Sequence, residues 1–140
     1  QRLAALPGAE ALSDADDRFR ALLVAYLSPH IRTPASEEGY NYARILAAIQ
    51  FTTTGPGHEL IIKAVAPVRD RYRAALHALF PHAALDTIRT ALHMTVMLMA
   101  MAPIHARDAI KTPEQCQDLI DEVVDFSAAG FRAICGEPTL

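Results

Sequence analysis

Positive charge is in short supply in this chain. Lys and Arg number 13 against 16 Asp and Glu, for a formal net charge of −3. A nucleic-acid surface normally shows a basic stripe, so these residues are not expected to hold nucleic acid themselves. Cysteine is scarce as well, with only Cys116 and Cys135. Both fall on one expected helix, roughly 28 Å apart along its axis, too far to pair within it. They are expected to be small packing residues in a reducing, cytoplasmic setting. The start carries no apolar core region behind a basic end, so a signal peptide is not expected. No segment alternates apolar and polar residues like a half-buried strand. Internal repeats and low-complexity tracts are missing too. What is left is an all-α fold of about five to six helices in a single domain over residues 1–140.

The residues of catalysis and metal binding are also missing in usable arrangements. The six histidines are His30, His58, His77, His82, His93 and His105, and no two stand four apart on a helix as a helical metal pair requires. His77 and His82 straddle Pro81 and are not expected to hold a metal. No glycine-flanked serine marks a nucleophile turn. Gly55 and Gly57 flank a proline and read as turn residues, not as a phosphate loop. Asp118, Asp121, Glu122 and Asp125 read as the solvated face of an amphipathic helix. No catalytic residue, metal or cofactor is expected, and the protein is not expected to be an enzyme.

Apolar material is plentiful: 51% of residues are hydrophobic and 21% charged, a composition that folds and does not stay disordered. Its densest stretch is Ala83 to Met101. Leu85, Ile88, Leu92, Val96 and Met99 recur at helical spacing on one face. From Ala91 onward the other side is apolar too, with Met94, Met97, Leu98 and Met101. A helix apolar on two sides must be covered on two sides. One cover is its own domain; the other is a second copy of the chain or an internal cavity. Pro103 is expected to end the run. At roughly 11 fully apolar-to-mixed residues it falls short of the ~20 that span a bilayer, so no membrane partner is expected. The methionines suit a core or dimer seam and equally an adaptable apolar pocket. His93 reads either as a core histidine or as a polar contact inside a ligand cavity.

The rest of the chain reads as further helices. Gln1 to Leu6 looks like the tail of an earlier helix stopped at Pro7-Gly8. Ser13 is the expected cap of a helix running to about Ser28 with Phe19, Leu22, Leu23, Tyr26 and Leu27 buried. A helix from Ser36, or from Thr33 ahead of Pro34, to about Thr53 carries Tyr42, Ile45, Leu46 and Ile49 on one face. The next spans about His58 to Phe80, with Ile61, Ala64, Val65, Val68, Tyr72, Leu76 and Leu79 inward. Pro67 predicts a kink or break there. The last helix is the best marked: Thr112 caps it, Pro113 sits first, Gln115 completes a capping box and Gly136 ends it. On it Cys116, Leu119, Val123, Phe126, Gly130 and Ala133 follow heptad spacing, with Ile120, Val124, Phe131 and Ile134 as a second flank.

This order of helices resembles the C-terminal regulatory domain of TetR/AcrR-type transcriptional regulators. The resembling residues are Leu22-Leu23 leading to Pro29, the run Tyr42-Ala43-Arg44-Ile45-Leu46, the Pro67 break ahead of Arg71-Tyr72 and Leu76, Leu79-Phe80-Pro81, and the small-residue stretch from Asp125 to Ala133. They span nearly the whole chain, from about Ser13 to Cys135. The family's N-terminal helix-turn-helix is not among these residues, and the chain, which opens in mid-pattern without a methionine, is expected to be a fragment. The resemblance implies a homodimeric effector-sensing domain of a bacterial regulator, most often a repressor. Operator DNA would then be reached only through the missing N-terminal domain.

Two sets of residues follow. A dimer seam is expected from Leu98, Met101, Cys116, Leu119, Val123, Phe126 and Gly130. A pocket for a small apolar or amphipathic effector is expected from Tyr42, Leu46, Ile49, Ile61, Val65, Tyr72, His93 and Met97. The competing reading is a helical protein–protein interaction module without an effector. A tightly packed interior favours the module; a cavity lined from three or more helices favours the sensor. A small helical enzyme would need converging, charge-perturbed polar groups in a cleft.

Overall fold

Local capping signals set where the helices begin. Asp14, not Ser13, caps the second helix: its carboxylate accepts from the Asp17 backbone N–H at 2.9 Å. Thr112 and Gln115 form the expected capping box, each accepting from the other's backbone N–H. Such caps satisfy donors that the first helical turn would leave orphaned. The computed structural model describes residues 1–33, 37–51, 54–108 and 110–140. Within them lie six helices and no strand: α1 (Arg2–Glu10), α2 (Ala15–Ile31), α3 (Glu37–Phe51), α4 (Pro56–Leu79), α5 (Leu85–His105) and α6 (Pro113–Cys135). Ser36 and Thr53, the expected ends of α3, lie outside the described residues, as does Pro34.

Prolines stop fewer helices than expected. Helix α1 runs through Pro7 to Glu10, α2 through Pro29 to Ile31, and α5 through Pro103 to His105. Each proline removes one backbone hydrogen bond near a helix end, and burial beyond it offsets the loss. Ala9 is buried past Pro7, His30 and Ile31 past Pro29, and Pro103 itself is buried. At α2 the Thr33 hydroxyl also donates to the Pro29 carbonyl at 2.8 Å. Pro67 sits inside α4, which continues to Leu79, so of the expected kink or break the break does not occur.

Helix α6 packs on α2 and α5, α1 lies along α2, and α3 rests mainly on α5. The centre is aromatic. Phe19 of α2 meets Phe80 edge-on at 5.0 Å between ring centroids and Phe131 of α6 at 5.6 Å. Edge-to-face pairs of this kind add roughly 0.5–1.5 kcal/mol each beyond area burial. Leu22, Leu27, Leu76, Ile88, Ile120 and Val124 close around them. Asp121 and Asp125, on the solvated face of α6, both pair with Arg20 of α2.

Helix α5 is longer than the apolar count implied, and it is, by length and composition, the one described helix able to cross a bilayer. Its Ile88, Ala91, Leu92, Thr95, Met99 and Ala100 are instead buried among the other helices, as in a core helix.

Candidate functional site: a cleft between four helices

Helices α2, α3, α4 and α5 leave an opening where their inward faces do not meet. Apolar side chains recur along α4 at Ile61, Ile62 and Val65, and along α5 at Leu92, Val96 and Met97. Ile49 of α3 and Tyr26 of α2 complete the lining, with His58, Arg69, Arg89 and His93 as the polar members. The cleft holds about 160 Å³. Established small-molecule sites run to roughly 300–1,000 Å³, so an occupant is small or the walls part to admit it.

Five residues expected of the pocket line this cleft: Ile49, Ile61, Val65, His93 and Met97. Three do not. Tyr42 points outward at 55% exposure, and Leu46 is half-buried and does not line the cleft. Tyr72 belongs to the core: its ring is buried, and its hydroxyl donates to the Arg2 carbonyl at 2.8 Å. Burial pushes the Tyr72 phenol up to about 12, against the pull of the nearby Arg2 guanidinium. His93 is exposed at the cleft edge and is not a core histidine.

Behind the cleft stands a clamp on the first helix. Arg2 Nε donates to the Tyr26 carbonyl at 2.6 Å, and its Nη2 reaches the Met99 sulfur at 3.2 Å. The Tyr26 and Tyr72 rings meet at 4.8 Å. Tyr26 thus touches the cleft on one side and the anchor of α1 on the other. Burial raises the Tyr26 phenol, while the Arg2 and then the Arg69 guanidinium draw it back.

The expected seam residues fall into two groups. Among the described residues Phe126 is the most exposed large apolar side chain at 72%, and it borders a groove with Leu98, Gly130, Met94 and Ile134. A Cβ at Gly130 would meet nothing within 4 Å in its own chain. Val123, by contrast, is buried in the chain's own core, and Met101, Cys116 and Leu119 are half-buried. Val123 therefore fills the interior and offers nothing to a partner. The methionines divide likewise: Met97 in the cleft, Met94 on the groove, Met99 in the core.

A larger hollow of about 470 Å³ lies at the far end, among Ile31, Arg32, Glu37, Arg107, Lys111 and Cys116. Its wall mixes these charged groups with Ile31, Pro103, Ile110 and Pro113, and both signs of charge are present. Among the described residues no group of three His, Cys, Asp or Glu side chains is placed to hold a metal ion.

The described residues thus form an all-helical domain with a cleft between four of its helices and an open apolar face on its last two. The chain belongs to the family described as tetracyclin repressor-like, C-terminal domain, which matches residues 24–130. No curated protein and no solved structure matches it.

Proposed function

We propose that this domain senses a small apolar or amphipathic effector in the four-helix cleft and forms a homodimer through α5 and α6. In this reading it is the regulatory part of a cytoplasmic bacterial transcriptional regulator, most often a repressor, and is not an enzyme. DNA contact falls to an N-terminal domain outside these 140 residues. The observation that carries the reading is the convergence of aliphatic side chains from three helices, with Tyr26 from a fourth, on one opening, in a chain of this family. A ligand acts by binding one arrangement of helices better than another and shifting the population toward it. Tyr26 offers a route for that shift, because it links the cleft to the Arg2 anchor of α1.

Dimerisation rests on the outward face of α5 and α6. An exposed Phe126 beside Leu98, Met94 and Ile134 is the kind of apolar patch that a partner covers. A two-fold axis lets the same patch serve both copies. Gly130→Leu tests this, since a Cβ at this position meets nothing of its own chain within 4 Å and the position borders the open groove that a partner helix would fill. The variant is expected to sediment as a folded monomer where the unmodified protein sediments as a dimer; a dimer in both places the seam elsewhere. For the cleft, His93→Ala is expected to weaken a bound effector ten- to a hundredfold, about 1–3 kcal/mol for deleting one orienting contact, and to leave melting unchanged because His93 is exposed. Native mass spectrometry of protein purified from its host supplies that effector.

A further inference from the structure

The polar lining of the cleft has one sign. Its four nitrogen-bearing side chains are His58, Arg69, Arg89 and His93, and no carboxylate stands among the lining residues. The two guanidiniums come from different helices, Arg69 from α4 and Arg89 from α5, so they approach the opening from two sides. Their acidic neighbours are weak competitors. Arg69 meets Asp70 at 3.4 Å, and Asp70 is shared with Arg73 at 3.3 Å. Arg89 meets Asp86 at 3.3 Å, with both side chains well exposed. Exposed pairs of this kind contribute little, so either arginine is free to turn to a better acceptor. Arg69 shares the lining with Tyr26, and its positive charge acts on that phenol.

Resting on the reading of the cleft as an effector site, we infer that the effector is an amphipathic anion, with an apolar tail against Ile61, Val65 and Met97 and an acidic head between Arg69 and Arg89. An arginine presents a fork of N–H donors that matches a carboxylate, and such charge-assisted bonds are about twice as strong as neutral ones. The imidazoles of His58 and His93 donate to the same head even when neutral. A neutral head on the same tail accepts only bonds that lack this charge assistance, and a cationic head must approach two guanidiniums of its own sign.

Octanoate, octanol and octylamine carry one tail and three heads, and calorimetric titration of each into the 140-residue protein at pH 7.5 separates them. Octanoate is expected to bind at least tenfold more tightly than octanol, and octylamine most weakly. Arg69→Gln and Arg89→Gln are each expected to weaken octanoate about tenfold and to leave octanol unchanged. Val65→Trp, which fills the cleft from a partly exposed position, is expected to abolish binding of all three. Octanoate binding no tighter than octanol, with both lost in Val65→Trp, overturns the anionic head and leaves the cleft standing. Octanoate failing to bind at all likewise overturns it. Binding that Val65→Trp does not touch contradicts the cleft itself.

Discussion

Two regions of this molecule treat apolar side chains differently. Around α2, α6 and the second half of α4, most large apolar groups that face inward are sealed: Phe19, Phe80 and Ile120 have no exposed surface. Around α3 and the first half of α4 the same residue types lie open. Ile45 is 58% exposed and Leu60 69% exposed, with Tyr42, Ile62 and Val65 also at the surface. Among the described residues of α3 only the small side chains Ala43 and Ala47 are fully buried, while Leu46 and Ile49 are half-buried and Tyr40 lies under the Arg107 guanidinium at 3.8 Å. Stability is therefore uneven, and local opening is drawn from the weakly packed side. That side also borders the cleft. A site that must admit a ligand between helices needs walls that part at low cost, and α3 with the start of α4 meets that need while the aromatic centre does not.

The contrast breaks most visibly at the centre. Phe131→Ala removes a ring in contact with Phe19 and Phe80 and is expected to cost about 3–5 kcal/mol, read as a lower urea midpoint. A loss under about 1 kcal/mol would mean that the centre is as loosely packed as α3.

A smaller effect comes from His30, buried at the end of α2 with its Nε2 lacking any hydrogen-bond partner among the described residues. Burial, with help from the Arg2 charge, pushes its imidazole down to about 4. The unfolded chain takes up a proton near pH 6.5 and the folded one only near 4, so stability is lost as pH falls through that window. The loss is expected to be on the order of 1–3 kcal/mol between pH 7 and pH 4. His30→Leu removes the titrating group, and its stability is expected to be flatter across the same range. An unchanged slope in the variant assigns the pH dependence to other groups.

The smallest effect belongs to the open region. Ile45→Ala on α3 is expected to change stability by no more than about 0.5 kcal/mol, because its side chain already lies in solvent. A cost above about 1.5 kcal/mol would show that α3 is covered in solution and that the two regions are less different than their exposures indicate.

Much of the fold was legible in the sequence. Helix α6 announces itself with Thr112, Pro113, Gln115 and Gly136, because caps and stops are local chemistry. Prolines misled at Pro7, Pro29 and Pro103, since the burial that carries a helix past a proline is tertiary and leaves no local mark. The aliphatic wall of the cleft was legible from periodicity. Its cationic members were not: Arg69 and Arg89 look like solvated positions when each helix is read alone. A signal was present, for Arg69 stands four residues after Val65 and Arg89 four before His93, on the same helical faces. Val123 and Tyr72 were misplaced for the opposite reason. An apolar stripe does not say which of its members face a partner or a ligand and which face the chain's own interior.

Hydrogen exchange followed by mass spectrometry tests the central claim most directly, with the protein alone and with saturating octanoate or octanol. The account predicts fast exchange across α3 and the first half of α4 in the free protein, with slow exchange in α2 and α6. It further predicts that ligand raises protection in α3 and α4, and at the Arg2 anchor of α1, while α2 and α6 change little. Equal protection of both regions in the free protein, or protection gained only at the far hollow around Arg32 and Lys111, would contradict it.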